Sequence, residues 1–311
     1  SNPNDPVIVI RIVQTSSAFR ETGEDETGGV LWGAGVHLAN YVVSSLFVMD
    51  DVVVCWKGSS LSAGYNSSSR WRMISHHPTT FLPKLRVIEL GCGGCALASI
   101  AFAKKIAGIV NTNSSTTDDS SAANDSCLDG RIEIVATDFS KATLSQAQYN
   151  VEHNKVQQIV KVQSLDWNDA PHFDFESNRS DRNSSSSSSS SNSVMIQPNM
   201  FDVVMASDVI YGMHMVPLLI QTIDSLLTTN GIAIIATRDH RRGVKEFCEA
   251  IKSVGFRQVD VVAHDANHKV RKVEQEEEST TVPSCFQDPV HRSRWNASHT
   301  VYAYKRENNQ P

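Results

Sequence analysis

The feature that most constrains the fold is a regular alternation of short β-branched runs with longer stretches of helical periodicity. The runs that predict strands are Leu85–Leu90, Arg131–Asp138, Val160–Trp167, Phe201–Ile210 and Gly231–Arg238. The stretches that predict helices are Gly94–Ala107, Ser140–Asn154, Met213–Thr228 and Arg241–Val254. Strands that alternate with helices of about 12 residues indicate βαβ units and a parallel sheet. Because several runs are apolar almost throughout, both faces of this sheet should be covered.

The pattern changes after the fifth strand. Two further runs, Phe256–Ala263 and His299–Arg306, have no helical stretch between them. They predict two strands that pair as an antiparallel hairpin. Five βα units that end in such a hairpin are not the usual arrangement of a dinucleotide-binding domain.

Three polar segments are predicted to be insertions into this core, at about 111–130, 176–193 and 267–281. The second of them contains eight consecutive serines. Such segments bury too little apolar surface to offset the entropy of ordering them, so we predict loops. The rest of the chain divides into an N-terminal extension, residues 1–26, with a possible strand at Val7–Val13, and one domain over residues 27–311.

Composition excludes several classes of function. The chain has 311 residues, of which 40% are hydrophobic, so a metal is not needed to hold a core together. A formal net charge of −6 argues against a nucleic-acid-binding protein. Cys92 and Cys95 form a C-x-x-C, which we interpret as small residues of a turn rather than as a redox pair, and no Cys/His cluster has zinc spacing. Without a signal-like or membrane-spanning segment, we expect a monomeric protein of the cytoplasm, with the nucleus as a second location.

A glycine-rich turn joins the first predicted strand to the first helix. The sequence ELGCGGCA, at Glu89–Ala96, lets the backbone approach a ligand beside the N–H groups of a helix N-terminus. The spacing of Gly91, Gly93 and Ala96 fits the nicotinamide or flavin pattern G-x-G-x-x-A. Glu89 argues against an oxidoreductase of that kind, because a carboxylate there suits a cationic ammonium group and would repel a pyrophosphate.

Acidic residues lie at the ends of the next three strands. Asp138 ends the second strand and is suited to bind a ribose diol, with capping of the following helix as the alternative. Asp166 and Trp167 end the third, where a carboxylate can accept from an adenine amine and a ring can pack on the base. Asp208 interrupts the apolar fourth strand, where a buried carboxylate is costly without a partner or a task. Because ligands of open α/β sheets bind beyond the carboxyl ends of the strands, these residues predict a site.

A basic cluster follows the fifth strand and comprises Arg238, His240, Arg241, Arg242 and Lys245. We interpret it as the solvated beginning of a helix, with attraction of an acidic substrate surface as the alternative.

Four motifs occur in order along the chain. They are T-G-x-x-x-W at Thr27, Gly28 and Trp32, the ELGCG turn from Glu89, the pair Thr137-Asp138, and D-x-x-Y at Asp208 and Tyr211. The glycine turn alone is typical of a superfamily, whereas the ordered set is more specific. The chain resembles the seven-β-strand S-adenosylmethionine-dependent methyltransferases, specifically methyltransferase family 16, over roughly residues 27–50, 84–110, 131–168 and 200–262.

The resemblance implies a Rossmann-like, doubly wound α/β sheet of seven strands in the order 3-2-1-4-5-7-6, with the last strand antiparallel. It also implies S-adenosyl-L-methionine as the cofactor. The cofactor-binding positions that match the family are Trp32, Glu89, Gly91 and Gly93 for the methionine end, Asp138 for the ribose, and Asp166, Trp167 and Ala206 for the adenine. Asp208 is then expected to orient the methyl acceptor, and Tyr211 to line its channel.

The family contains many protein-lysine methyltransferases, so the resemblance implies N-methylation of a lysine in a protein substrate. The alternatives are another acceptor, namely a histidine, a protein N-terminus or a small molecule, or a non-catalytic scaffold that keeps the fold. The link at residues 51–83 is longer than is usual in the family and is expected to contribute to the substrate entrance.

Overall fold

The structure, a computed structural model, describes residues 8–13, 31–49, 53–57, 71–73, 84–113, 132–168, 194–264, 270–271 and 298–306. Its helices are α1 (Gly33–Ser45), α2 (Leu97–Asn113), α3 (Lys141–His153), α4 (Met215–Leu226) and α5 (Val244–Ser253). Its strands are β1 (Leu46–Met49), β2 (Val53–Lys57), β3 (Trp71–Met73), β4 (Leu85–Leu90), β5 (Ile132–Asp138), β6 (Val160–Ser164), β7 (Phe201–Ser207), β8 (Leu227–Arg238), β9 (Phe256–His264), β10 (Val270–Arg271) and β11 (His299–Arg306).

Two of the predicted insertions overlap described elements. Helix α2 runs three residues into the segment 111–130, and β10 lies within the segment 267–281. The remainder of both segments, the whole of 176–193, and Thr27 and Gly28 of the first motif lie outside the described residues.

The main sheet has eight strands in the order β10-β9-β11-β8-β7-β4-β5-β6. Strands β4 to β8 pair in parallel, whereas β11 is antiparallel to both β8 and β9. Without the two-residue β10, and numbered along the chain, the order is 3-2-1-4-5-7-6, so the predicted topology is confirmed. Within the link at 51–83, β2 pairs with β1 and β3 pairs with β2, which forms a separate antiparallel sheet.

Successive residues of the central strands contribute to opposite faces of the sheet. Val87 of β4 belongs to a buried cluster with Leu38 of α1 and Phe102 of α2. Its neighbour Ile88 belongs to the cluster on the other face, which contains Phe247 of α5. Each such side chain contributes about 1.5–3 kcal/mol when fully buried. Both faces are therefore covered, which explains the continuous apolar strands. Among the described helices, none is long and apolar enough to cross a membrane.

Strands β6 and β7 each end three residues earlier than predicted, at Ser164 and Ser207. The N–H of Leu165 donates to the carbonyl of Asp138 at 3.1 Å, and Asp208 adopts a left-handed backbone with φ 57°. A residue in that conformation cannot continue a strand. The chain consequently turns over the end of the sheet at the positions where acidic residues were predicted to form a site.

Over the described residues 8–13, the N-terminal segment is not the predicted strand. The N–H of Val13 donates to Oδ1 of Asn150 at 2.8 Å, and its carbonyl accepts from Nδ2 of the same residue at 3.0 Å. Arg11 pairs in the same way with Asn154, at 3.1 and 2.7 Å. Side-chain amides of α3 thus satisfy the backbone groups that a neighbouring strand would otherwise bind.

Candidate functional site

A cleft of about 570 Å³ opens at the carboxyl edge of the sheet. The predicted site residues that line it are Trp32, Glu89, Gly91, Gly93, Asp138, Asp208 and Tyr211. A second cavity, of about 1040 Å³, shares three of these residues and adds Asp166 and Trp167. Ala206 is fully buried in β7 and is not among the lining residues of either cavity. The structure therefore brings all the predicted site residues except Ala206 to one connected opening.

The glycine turn needs its glycines for two physical reasons. Gly91 and Gly93 have φ values of 62° and 59°, a region that favours residues without a Cβ. A Cβ at Gly91 would also lie 2.8 Å from Cγ1 of Val209. The N–H of Cys92 donates to the carbonyl of Thr137 at 2.8 Å, which fixes the turn to the end of β5. This hydrogen bond therefore holds the backbone of the turn in a fixed position beside the cleft.

Glu89 places a buried carboxyl group in the wall of the cleft. Only 2% of the residue is exposed, and Oε2 accepts hydrogen bonds from the N–H and the hydroxyl of Ser99 at 2.9 and 2.6 Å. Burial raises the pKa of Glu89 to about 7, against the opposing effect of the bonds from Ser99. Ser99 was not predicted as part of the site, because its place on the first turn of α2 becomes informative only once that turn is known to face Glu89.

Asp138 lies between the glycine turn and the beginning of α3. Its Oδ2 accepts from the N–H of Gly93 at 3.2 Å, and its Oδ1 from the N–H of Ser140 at 3.1 Å. The residue that caps α3 is Ser140, whose hydroxyl oxygen accepts from the N–H of Thr143 at 3.3 Å. Burial raises the pKa of Asp138, although these backbone donors oppose the rise. Ser140, and not Asp138, therefore caps α3. Asp138 lines both cavities.

The second cavity is flanked by aromatic side chains. Trp167 packs against the core cluster that contains Ile88, while Phe139 lies 75% exposed on the cavity wall. Asp166 is exposed, and its Oδ1 accepts from the N–H and the side-chain amide of Asn168 at 2.9 and 2.8 Å. Phe139 was missed by sequence reasoning, although a large apolar residue directly after a strand-ending acid is a usable signal.

Asp208 is buried at the mouth of the cleft and is paired with an arginine. It is 5% exposed, and its Oδ1 accepts from Nη1 of Arg241 at 2.8 Å. The same nitrogen donates to the carbonyl of Asp208 at 3.0 Å. Burial raises the pKa of Asp208, while the positive charges of Arg241 and Arg238 act in the opposite direction. The sequence predicted the carboxylate but not its partner.

The basic cluster was interpreted as the solvated beginning of a helix, but Arg241 lies before the helix and points into the cleft. Helix α5 begins only at Val244, and Arg241 belongs to the preceding turn. From there its guanidinium carbon lies 5.7 Å from the ring centre of Tyr211 and 6.0 Å from that of Trp32. The interpretation is therefore wrong for this residue, which enters the cleft because the turn precedes the helix.

Cys92 and Cys95 are buried thiols in the glycine turn. Burial raises the pKa of Cys95 to about 12 and that of Cys92 well above its usual value. A thiol with a raised pKa is a poor nucleophile at neutral pH, which supports the structural interpretation of the C-x-x-C. Within the described residues, no group of three His, Cys, Asp or Glu side chains is placed to hold a metal ion.

A family model described as lysine methyltransferase matches residues 14–181 and 189–254, well over half of the chain. None of the curated proteins compared with the chain matches it significantly.

Among solved structures, a TehB-like SAM-dependent methyltransferase from Corynebacterium glutamicum is 12% identical, with a TM-score of 0.38 over 72% of this chain and 82% of that one. A fibrillarin pre-rRNA processing protein from Methanococcus jannaschii is 11% identical, with a TM-score of 0.40 over 82% and 89%. The family match decides the assignment: the chain belongs to the lysine methyltransferase family and is an S-adenosylmethionine-dependent methyltransferase.

Proposed function

We propose that this methyltransferase acts on the side-chain amine of a lysine in a protein substrate. The observation that carries the proposal is the arrangement of Asp208, Trp32 and Tyr211 around a side-chain cation. A buried carboxylate flanked by aromatic rings is suited to an organic cation on a flexible aliphatic stem. Lysine has such a side chain, and the family to which the chain belongs is described as lysine methyltransferase.

The cleft also has the chemistry that S-adenosylmethionine requires. When bound, this cofactor supplies an electrophilic methyl group. Glu89 provides a carboxylate for its amino group, and Asp138 provides one for its ribose hydroxyls. The backbone at Gly91 lies too close to Val209 to admit a side chain, so only glycine allows the turn to pack there. Trp167 offers a face for the adenine, and Phe139 extends that wall although the sequence did not predict it.

Asp208 and Tyr211 are assigned to the acceptor. A lysine in water is almost fully protonated at pH 7, and the lone pair needed for methyl transfer is then unavailable. Burial of the amine in the cleft lowers its pKa, whereas the negative charge of Asp208 raises it, so the amine binds as an ammonium and must release a proton to water before transfer. Asp208 then orients the amine by accepting its hydrogen bond, while Tyr211, 61% exposed, forms the wall at the mouth.

Asp138→Ala should weaken binding of S-adenosylhomocysteine by about 1–3 kcal/mol, because the ribose hydroxyls lose their charged acceptor. Isothermal titration calorimetry on the purified protein measures the change. Ser140→Ala is the matched control: it removes the cap of α3, costs about 1 kcal/mol of folding stability, and should leave the affinity near that of the wild type. Wild-type affinity in Asp138→Ala would overturn the ribose assignment.

Transfer of a radiolabelled methyl group into a cell extract tests the acceptor. The expected result is labelled protein in which mass spectrometry finds the methyl group on lysine. Label on histidine, on a protein N-terminus or in the small-molecule fraction would replace lysine by that acceptor. Binding of S-adenosylhomocysteine without any transfer would instead favour a non-catalytic scaffold.

A further inference from the structure

A side chain of the protein itself occupies the cation position of the cleft. Arg241 bonds to Asp208 and lies within about 6 Å of two aromatic ring centres. We propose that Arg241 is a specificity-determining residue that fills the acceptor position on Asp208 and is displaced when a substrate lysine binds. This inference rests on the proposed function, since it assigns a competitor to the same site.

The position favours any cation of suitable size, not only a guanidinium. Only 6% of the Asp208 side chain is exposed, so its charge is poorly screened by water. Cation–π attraction to Trp or Tyr is effective within about 6 Å of the ring centre, for ammonium as well as guanidinium groups. A lysine ammonium can therefore make the interactions that Arg241 makes, but the two groups exclude each other because they need the same oxygen.

The contacts of Arg241 with Asp208 can be replaced by contacts from an incoming lysine. Both contacts with Asp208 use the single nitrogen Nη1, whereas arginine holds a carboxylate most strongly through two parallel bonds. Arg306, by comparison, contacts Asp224 through two nitrogens, with Nη1 on the carboxylate at 2.9 Å and Nη2 on the backbone carbonyl at 2.7 Å. In addition, 22% of the Arg241 side chain is exposed, so part of it already contacts solvent.

An occupant tethered to the site competes more effectively than a dissolved one. Short tethers give effective concentrations in the millimolar range or above. The apparent affinity for an incoming amine falls in proportion to the fraction of time that the site is vacant. A small amine has few other contacts to offset this loss, whereas a lysine on a protein surface has many. Arg241 would thus select for lysines in proteins over free amines.

The test is a titration of n-butylammonium, a lysine side-chain analogue, into the 311-residue chain saturated with S-adenosylhomocysteine. Arg241→Gln should bind the analogue about 10-fold more tightly than the wild type, the gain expected if Arg241 fills the site about nine-tenths of the time. Glutamine removes the charge but keeps an N–H donor for Asp208. Arg242→Gln, the same change at the exposed neighbouring residue, should leave the affinity unchanged.

A second variant and a kinetic measurement distinguish a change in binding from misfolding of the variant. Arg241→Lys keeps a competing cation and should stay within about threefold of the wild type. For the labelled acceptor, Arg241→Gln should lower KM, a change that loss of a merely structural residue would not produce. Unchanged or weaker n-butylammonium binding by Arg241→Gln, in a variant with wild-type thermal stability, would overturn the inference. Failure of the lysine assignment is distinguishable, because it shows as label on a residue other than lysine.

Discussion

Asp208→Ala should lower the single-turnover rate of methyl transfer by roughly 100-fold or more, the scale of a lost positioning or acid–base group. We expect S-adenosylmethionine to bind this variant with nearly wild-type affinity, because Asp208 lies at the mouth of the cleft beside Tyr211 and Arg241. Rapid-quench measurement of labelled methyl transfer gives the rate, and a direct cofactor titration on the same preparation gives the affinity.

Two further variants separate the charge of Asp208 from its backbone conformation. Asp208 has φ 57°, a region that Asn tolerates about as well as Asp but that costs Ala roughly 1–2 kcal/mol. Asp208→Asn should therefore keep the folding stability while losing most of the rate. Tyr211→Phe should have a smaller effect, because the ring that shapes the channel remains. A parallel loss of cofactor binding and rate in Asp208→Asn would make Asp208 a cofactor ligand or a structural residue.

The acidic residues of the site were predictable because their positions follow from topology. Parallel strands bring their carboxyl ends to one edge, so Glu89, Asp138 and Asp208 had to lie near one another once the strands were identified. The closing hairpin was predicted because the sequence has no stretch of helical periodicity between the runs Phe256–Ala263 and His299–Arg306. Both predictions depend on backbone patterns that apolar periodicity reveals directly.

Side chains that reach the site from outside the strand ends were not predictable from the topology of the sheet. Arg241 reaches Asp208 only because α5 begins at Val244 rather than at the basic cluster, and helix beginnings are the least certain part of a sequence pattern. The N-terminal extension was predicted to contain a strand at Val7–Val13. Asn150 and Asn154 bind its backbone instead, a tertiary contact between residues about 140 positions apart.

The second prediction with a large effect concerns the pH dependence of folding stability. Folded, cofactor-free protein should lose stability relative to Glu89→Gln as pH rises from 4.5 to 7. The pKa of Glu89 rises from 4.5 to about 7 because the carboxyl is buried, so the folded state binds its proton more tightly than the unfolded state. The stabilisation is fully present below pH 4.5 and is lost as pH rises through 7. Between pH 5 and 8 the difference should amount to about 2 kcal/mol.

Urea denaturation of the wild type and of Glu89→Gln at pH 5, 6, 7 and 8 measures this difference. Burial also raises the pKa values of Asp138, Asp202 and Asp208, but these groups are present in both proteins and largely cancel. Ser99→Ala gives an independent check. Its hydroxyl lowers the pKa of Glu89, so its removal should raise that pKa and extend the loss of stability to higher pH.

The same proton links stability to cofactor binding. If ionised Glu89 binds the amino group of the cofactor, wild-type affinity should rise with pH between about 6 and 7.5, where Glu89 loses its proton while an α-amino group keeps its own. Glu89→Gln should bind more weakly and without this rise. Parallel pH curves for the two proteins, in denaturation as well as in cofactor titration, would show that Glu89 is not the titrating group and would remove it from the cofactor site.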